Sequence, residues 1–341
     1  MECSVKFLDN QKDYYEPGQK VKAEVLIILS KAEKINSNSI LFNSKNTFHN
    51  HYLTEITCSI LGYAKCKWNE DNIAGNGGSG VTNIGHEPYI KECFDLMENL
   101  SQIPSVLKSG QHKFNVSYVL SSNLPTSFKC KFGSIKYKIE VKIDRPWKLK
   151  STFEFPFTII SPQNLNTVGN HLRSPTKEEV LKNFKMDFTT DPLLVSASIP
   201  FSGYVPGQTI NIEVDVRNQS MTHVKGVKIS LKKIVVLNST KPKRKTKELI
   251  LSEARVLTES ISVQAEKKFK EKIIVPSLPP NISNCNLIKV SYELRVKART
   301  KGFNRSPMIN LPIYIGTSPL NGLLNSPSCA ISCNILKKLN E

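Results

Sequence analysis

The stretch Gly203-Tyr-Val-Pro-Gly-Gln-Thr-Ile-Asn-Ile-Glu-Val-Asp-Val-Arg-Asn-Gln-Ser220 carries the clearest structural signal in the chain. It opens with Pro206-Gly207, which favours a tight turn, because proline fixes φ at the second turn position and glycine accepts a positive φ at the third. Strict alternation of apolar and polar residues follows, which is typical of a half-buried antiparallel strand. We therefore predict a turn and then a strand whose buried face is formed by Ile210, Ile212, Val214 and Val216.

The same turn occurs near the start of the chain, as Tyr15-Glu-Pro-Gly-Gln19, and an alternating strand follows it from Val21 to Ile27. Further matches follow in the same order at offsets of 155 or 156 residues: Phe114 with Phe269, Leu124-Pro125 with Pro279-Pro280, Ile135–Val141 with Val290–Val296, and Phe155–Ile159 with Leu311–Ile315. Alternation alone would not preserve the proline and tyrosine positions. The series indicates an internal duplication of a unit far longer than a solenoid repeat.

With 341 residues, the chain is long enough for two domains that each bury a core. Short strands separated by turn residues, with almost no helix, predict an all-β protein of two tandem antiparallel sandwiches of immunoglobulin-like type. The one predicted helix is a turn or two at 175–184. The predicted divisions are a first domain at 1–160 with long polar loops at about 36–55 and 71–88, a linker at 161–184, a second domain at 185–318 and a short tail at 319–341.

The charge points to anionic partners, because the chain carries a formal net charge of +18. Two clusters contribute to the excess. The alternation of a strand explains the cluster at 267–272, whereas five charges within 241–247 repel one another unless an anion is nearby. The cluster at 241–247 is either a solvated loop or a site for anions or cargo. Its candidate binding residues are Lys241, Lys243, Arg244, Lys245 and Lys247.

The sequence contains no recognisable catalytic or cofactor-binding arrangement. The glycine-rich run at 75–80 lacks the Gly-Lys-Ser/Thr ending and the following helix of a phosphate loop, and His49-x-His51 is a weak metal spacing. The eight cysteines are scattered, so neither a disulfide framework nor a zinc site is expected. We expect a protein that is not an enzyme and that holds no cofactor or metal.

Two further expectations concern location and nucleic acid. No apolar run approaches the roughly 20 residues of a membrane-spanning helix, and the first residues do not resemble a secretory signal, so we expect a cytoplasmic protein. Nucleic acid is not an expected partner, because aromatic residues do not alternate with the basic ones as a single-strand groove requires.

These residues together resemble the α-arrestins, the family of arrestin-domain-containing proteins. The motifs that carry the resemblance cover roughly residues 5–320 in the family's order. They include Tyr15, Pro17, Gly18, Gln19, Arg145, Pro146, Trp147, Tyr204, Pro206, Gly207, Gln208, Asn218, Pro279 and Pro280.

The resemblance implies two arrestin-fold sandwiches and a cytosolic adaptor that is recruited to the plasma membrane or endosomes. Such an adaptor binds the cytosolic tails of receptors and transporters for endocytosis, ubiquitin-linked down-regulation or endosomal sorting. Anionic lipid is a further implied partner. The alternative role on the same fold is a signalling arrestin or a retromer-like coat subunit that acts as a constitutive scaffold.

The chain departs from the family at the motif that recruits ubiquitin ligases. Family members usually carry Pro-Pro-x-Tyr in a C-terminal tail, where the extended prolines fit the aromatic groove of a WW domain. Here the only Pro-Pro pair, at 279–280, is followed by Asn281-Ile282. The resemblance therefore implies ubiquitin ligases as partners, but the Pro-Pro-x-Tyr motif that would recruit them does not occur in this sequence.

Overall fold

The computed structural model describes residues 1–9, 12–34, 56–70, 80–97, 106–144, 150–184, 191–301 and 306–322. The chain divides into two compact units, of which the first comprises Met1–Lys67 with Ile84–Ser161 and the second comprises Trp68–Asn83 with Pro162–Glu341. The predicted loop at 36–55, the motif residues Arg145, Pro146 and Trp147, and the tail beyond 322 lie outside the described residues.

Three sheets contain the strands of the first half of the chain. They have the orders β1-β2-β7, β10-β9-β4-β5 with β8 also on β9, and β3-β6. The strands are β1 Glu2–Leu8, β2 Lys20–Leu29, β3 Glu33–Lys34, β4 Ile56–Glu70, β5 Val81–Asp95, β6 Val106–Leu107, β7 Gly110–Val119, β8 Phe128–Cys130, β9 Gly133–Ile143 and β10 Ser151–Phe157.

The second half forms two sheets, in the orders β11-β12-β14-β17 and β13-β19-β18-β15-β16. Its strands are β11 Thr176–Lys182, β12 Leu193–Ile199, β13 Gly203–Tyr204, β14 Thr209–Asn218, β15 Val224–Asn238, β16 Thr246–Leu257, β17 Ala265–Ile274, β18 Ile288–Thr300 and β19 Met308–Ile315. The helical elements among the described residues are α1 Leu165–Val168 and a 3₁₀ turn at Asn170–Arg173. The prediction of an all-β fold is confirmed.

The two strands that follow the Pro-Gly turns bury the predicted faces. On β14, all four predicted apolar residues are at most 1% exposed, and on β2 the alternate apolar residues from Val21 to Ile27 are equally buried. Because successive side chains of a strand point to opposite faces, the intervening polar residues remain on the outer face of each sheet. Alternation in the sequence therefore fixes which side of each strand enters the core.

Each turn is held by the glutamine that ends its motif. The Oε1 atom of Gln19 accepts a hydrogen bond from the backbone N–H of Glu16 at 3.0 Å, and Gln208 accepts the equivalent bond from Val205 at 2.9 Å. The glycines of the two turns have φ of +86° and +88°, a conformation that side-chain-bearing residues rarely adopt. The motif therefore specifies the same turn twice.

Each turn is also joined to the end of its own half of the chain. Tyr15 forms a parallel bridge with Ile159, and β13 pairs in parallel with the end of β19, where Tyr204 lies opposite Ile315. The backbone N–H of Tyr15 donates to Thr158, and that of Ile160 donates back to Tyr15, both at 2.9 Å. This pairing closes each half by bringing its first turn against its last strand.

A second tyrosine in each half fixes an extended segment beside this bridge. The hydroxyl of Tyr137 donates to the carbonyl of Pro125, and that of Tyr292 donates to the carbonyl of Pro279, both at 2.7 Å. The structure therefore matches Pro125 with Pro279, one residue away from the match to Pro280 that the sequence suggested. The duplication is visible as repeated hydrogen bonds between equivalent residues.

Two secondary-structure predictions are wrong. Residues 81–88, predicted as the end of a loop, form the first half of β5, which lies at the edge of its sheet. An edge position tolerates Pro88, whose missing N–H removes no necessary ladder bond, so the turn-forming residues misled the prediction.

The predicted helix at 175–184 is instead the strand β11, antiparallel to β12 from Thr176 to Lys182. The segment 175–184 is too short for a stable isolated helix. Pairing with β12 provides backbone partners that local propensity cannot predict. The predicted linker therefore contributes a strand to the sheet of the second unit, while its first part contains α1.

Residues 163–173 are bonded to the second unit. Gln163 exchanges hydrogen bonds with Thr317, accepting from its backbone N–H at 2.8 Å and donating to its hydroxyl at 2.9 Å. Leu165 and Leu172 are buried in a small apolar cluster with Val205 and Leu320. This part of the predicted linker is therefore packed within the unit that follows it.

The buried tyrosines give a matched stability test. Tyr137→Phe should lower the free energy of unfolding by about 1–2 kcal/mol, because the carbonyl of Pro125 loses its hydrogen-bond donor. Tyr15→Phe is the control, because its hydroxyl is buried without a hydrogen-bond partner among the described residues and burial raises its pKa. Denaturant unfolding of the full chain should show a loss for Tyr137→Phe and none for Tyr15→Phe. Equal losses would contradict the assigned role of the tyrosine hydroxyl.

Candidate functional site

The predicted anion-binding cluster lies on one hairpin of the second unit. Strands β15 and β16 pair antiparallel from Lys228 and Leu257 to Asn238 and Thr246, where the hairpin connection begins. The connection between them holds most of the basic residues. Because both strands are fixed in the sheet, the loop projects from a defined place rather than from a long unstructured segment.

Ser239 holds the loop together. Its side-chain hydroxyl donates to the carbonyl of Lys243 at 2.8 Å and accepts from the backbone N–H of Lys245 at 3.1 Å. Its own N–H donates to the carbonyl of Lys245 at 2.8 Å. Ser239 is only 2% exposed, so these bonds are largely shielded from water. The backbone that carries the charges is therefore ordered by one buried serine.

A polar pocket of about 410 Å³ lies beside this loop. Its wall includes basic side chains from the loop and backbone and amide groups from the segment before β18, and it contains no acidic residue. The lining residues are Asn238, Ser239, Thr240, Arg244, Lys245, Thr246, Asn286 and Leu287. A concave wall with hydroxyl, amide and cationic donors is suited to an anion rather than to an apolar ligand.

The structure separates the five predicted basic residues. Arg244 and Lys245 line the pocket, whereas Lys241 and Lys243 are exposed on the loop away from its lining. Lys247 lies in β16 and is half-buried. Only two of the five therefore belong to one concave site, and the others contribute to the surrounding field.

One pocket charge is partly neutralised within the second unit. The ammonium of Lys245 pairs with the carboxylate of Glu70, and this hydrogen bond holds the pKa of that carboxyl below its usual range. Arg244, in contrast, has no carboxylate within ion-pair distance among the described residues. We expect Arg244 to provide the main cationic contact in the pocket, because its planar guanidinium can bind a phosphate or carboxylate through two bonds.

Most of the pocket lining was absent from the sequence-based prediction, including the two asparagines Asn238 and Asn286. Asn238 donates through its side-chain amide to the carbonyl of Asn286 at 2.8 Å and accepts from the hydroxyl of Thr246 at 3.0 Å. These contacts join the hairpin to the segment before β18. The signal in the sequence was an asparagine at the end of β15 and another just before β18, but only the pairing of the two strands brings them together.

The basic cluster at 267–272 forms the polar face of a strand, β17. Lys267 pairs with Glu259 at 2.8 Å, and Lys270 pairs with Glu213 at 3.0 Å. Lys268 lies 3.9 Å from Asp215 on the neighbouring strand. Carboxylates of the same unit therefore balance most of the charge at 267–272, in agreement with the interpretation that alternation alone explains it.

Several of the described motif residues make contacts that hold the fold. Besides the turn residues and Pro279, Asn218 is buried at the end of β14, where its amide donates to the carbonyls of Thr222 and Ser262 at 3.0 and 2.9 Å. The hydroxyl of Ser220 donates to the Oδ1 atom of Asn218 at 2.7 Å. Asn218 therefore fixes the connection after β14.

In the described ranges, no group of three or more His, Cys, Asp or Glu side chains is arranged to hold a metal ion. No disulfide joins the described cysteines, which are Cys3, Cys58, Cys66, Cys93, Cys130 and Cys285. No helix in the described part of the chain has the length and hydropathy to cross a membrane.

Comparison with protein families matches the two halves separately. The family described as "Arrestin (or S-antigen), N-terminal domain" matches residues 3–166, and "Arrestin (or S-antigen), C-terminal domain" matches residues 189–320. The chain belongs to the arrestin family. Its relatives bear the name of the arrestin-domain-containing branch, the α-arrestins, so the resemblance in the sequence is confirmed.

Three of those relatives show the extent of the similarity. Arrestin domain-containing protein 1 of rat is 28% identical over 261 residues, and that of mouse is 30% identical over 255 residues, in each case 74% of this chain. Arrestin domain-containing protein 17 of Caenorhabditis elegans is 24% identical over 331 residues, which are 91% of this chain and 69% of that protein. The alignments span only 57% of the rat protein and 55% of the mouse protein.

The order of the loop can be tested through Ser239. Ser239→Ala removes the donor to Lys243 and the acceptor for Lys245, so we expect a loss of about 1–2 kcal/mol in the free energy of unfolding and faster hydrogen exchange at the Lys245 amide. Ser252→Ala, at an exposed position on β16, is the matched control. Unchanged exchange at Lys245 in Ser239→Ala would show that the serine does not order the loop.

Proposed function

We propose that this arrestin-family protein is a cytosolic adaptor that binds the cytosolic tails of membrane receptors and transporters. The observation that carries the proposal is the match of both arrestin domains, in order, across most of the chain. The adaptor directs its cargo to endocytosis, ubiquitin-linked down-regulation or endosomal sorting, and it is recruited to the plasma membrane or endosomes for this purpose. No step of this role requires catalysis by the chain.

The basic hairpin supports a recognition role for acidic or phosphorylated tail segments. Its pocket presents Arg244 and Lys245 beside amide and hydroxyl donors, without an acidic residue in the lining. The remaining basic residues Lys241, Lys243 and Lys247 raise the local potential, which increases the association rate of an anionic tail. The fixed backbone around Ser239 reduces the entropy lost on binding.

Recruitment of ubiquitin ligases is proposed from the family resemblance, because this sequence contains no Pro-Pro-x-Tyr motif. The extended Pro279-Pro280 segment lies within the fold, where the carbonyl of Pro279 accepts from Tyr292. The alignments cover 57% of the rat relative and 55% of the mouse relative, so the remainder of those proteins is not compared with this chain. Ligase binding is therefore treated as an outcome to be measured.

The tail-binding role can be tested by charge neutralisation. Changing Lys241, Lys243, Arg244, Lys245 and Lys247 to glutamine should weaken binding of a multiply phosphorylated receptor-tail peptide by about tenfold or more, since even one charge-assisted hydrogen bond to phosphate is worth this much. Fluorescence anisotropy at low and physiological salt measures the change.

A variant with the same charge change provides the control. Lys177, Lys225, Lys297, Arg299 and Lys301 are exposed basic residues of the same unit outside the pocket lining, so their replacement by glutamine should have a much smaller effect. Unchanged peptide binding in the hairpin variant at low salt would remove the hairpin from the mechanism. Equal losses in both variants would show a response to net charge alone.

The adaptor role is tested by proximity labelling in the native cell, scored for transmembrane receptors and for WW-domain ubiquitin ligases. Receptors whose labelling changes with stimulation support an adaptor, and ligases labelled beside them support ubiquitin-linked down-regulation. A constant set of partners in fixed proportion would instead indicate the scaffold or coat-subunit role. Labelling of neither class would contradict the proposal.

A further inference from the structure

A second basic surface lies in the first unit, on the face of the sheet formed by β5, β4, β9 and β8. It forms an open groove of about 530 Å³. The groove is lined by Lys65, Cys66, Lys67, Ile84, Gly85, His86, Lys129, Cys130, Lys131, Phe132, Gly133, Ser134 and Lys136. Five lysines and no acidic residue line this groove, although the sequence analysis found no charge cluster here, because the lysines come from three separate strands and one turn.

The strand register places the lysines around one serine. Lys65 on β4 and Lys129 on β8 are both paired with Ser134 on β9, one from each side. Lys136 follows two residues after Ser134 and therefore lies on the same face. The alternate residues Cys66 and Ile135 are buried, which places the lysines on the solvent face. The result is a compact group of cations rather than a linear track.

Two lysines of this surface, Lys67 and Lys136, differ from Lys138, the next lysine on β9, which is neutralised within the first unit. Lys138 pairs with Glu140 at 2.8 Å and with Glu154 at 2.5 Å. In the described part of the chain, no carboxylate lies within ion-pair distance of Lys67 or Lys136. Like charges gathered on one sheet face repel one another, so the arrangement favours an anion supplied from outside.

Apolar side chains lie beside the lysines at the rim of the groove. Ile84 on β5 is 44% exposed, and Phe132 is half-buried in the turn between β8 and β9, where Lys131 lies over its ring at 5.1 Å. Basic residues mixed with exposed apolar ones are typical of surfaces that touch a membrane, where the cations meet headgroups and the apolar groups enter the interface.

We propose that this groove, the β4–β9 lysine face, binds the phosphorylated inositol headgroup of a membrane lipid. The volume is within the range of small-molecule sites, and four lysines arranged around Ser134 match several phosphates on one compact ring. This site is separate from the basic hairpin and does not depend on the cargo-binding role proposed above. It would attach the adaptor to membranes that carry such lipids.

A phosphorylated peptide is less well suited to the same groove. Strands β4 and β9 are hydrogen-bonded on both sides at this point, so an extended peptide cannot add to their edges. A peptide would have to lie across the sheet and contact side chains alone, whereas a ring with several phosphates can reach the cations of all three strands at once.

The test uses the full chain and vesicle co-sedimentation. Binding to phosphatidylcholine vesicles that contain phosphatidylinositol bisphosphate should fall about 25-fold in Lys67→Gln/Lys136→Gln, about fivefold for each lysine near an anionic surface. The matched control is Lys20→Gln/Lys91→Gln, which removes two exposed lysines of the same unit that do not line the groove. Thermal unfolding verifies that both variants retain the fold.

The comparison between the groove variant and the control variant, with each ligand, decides the proposal. Loss in the groove variant alone supports it, and equal loss in both variants overturns it in favour of net charge. Equal binding to phosphatidylserine vesicles of the same total charge would overturn headgroup recognition. If soluble inositol hexakisphosphate binds and vesicles do not, the phosphorylated ligand is not a membrane lipid and the proposal is overturned. If a phosphopeptide binds through Lys67 and Lys136 and vesicles do not, the groove is a peptide site and the proposal is also overturned. Repeating the assay with the basic hairpin neutralised separates the two sites, since the groove-dependent loss should persist.

Discussion

The parallel bridge between the first turn and the last strand is the constraint on which each sandwich depends. Without it, the first turn of each half would have no backbone pairing with the end of that half. The Tyr-x-Pro-Gly-Gln turn makes the bridge possible, because Gln19 and Gln208 fix the turn through their side chains and hold Tyr15 and Tyr204 in an extended conformation. The tyrosines then pair with Ile159 and Ile315. Local turn chemistry thus determines a contact across the whole length of each half.

That closure leaves the outer faces and hairpin loops for recognition. The chain carries a large positive charge, and the sandwiches balance much of it with their own carboxylates, as at Lys138 on β9 and Lys270 on β17. Surface pairs of this kind contribute little to stability, typically less than about 1 kcal/mol. Their importance is that they show where charge is already compensated. The basic hairpin and the β4–β9 lysine face are concave places that still present cations without a carboxylate partner among the described residues, namely Arg244 in the first and Lys67 and Lys136 in the second.

The sequence predicted those features that depend on local chemistry and regular alternation. The two turns, the buried faces of β2 and β14, and the duplication all follow from residue types at fixed spacing. The sequence could not show the strands at β5 and β11, because Pro88 and the short polar segment 176–182 resemble a loop or a helix until a neighbouring strand supplies hydrogen bonds. Pairing between distant segments is a tertiary effect that overrides local propensity.

The same distinction applies to the candidate sites. A run of basic residues such as 241–247 can be recognised in the sequence, although only Arg244 and Lys245 of this run line the pocket in the structure. The β4–β9 lysine face cannot be recognised in the sequence, because its lysines lie on separate strands and alternate with buried residues. Lys-x-Lys at 65–67 was a signal, but a single strand with a polar face shows the same pattern. Only the register around Ser134 gathers these charges.

The central claim is that the two arrestin domains carry one cation surface each and that the two surfaces bind two kinds of anion. Hydrogen–deuterium exchange of the full chain tests it most directly, with a phosphorylated receptor-tail peptide in one sample and phosphoinositide vesicles in another. The account predicts slower exchange at 239–247 with the peptide and at 65–67 and 129–136 with the vesicles, while both Tyr-x-Pro-Gly-Gln turns remain unchanged. Protection confined to other strands, with both cation surfaces unaffected by either ligand, would contradict the account.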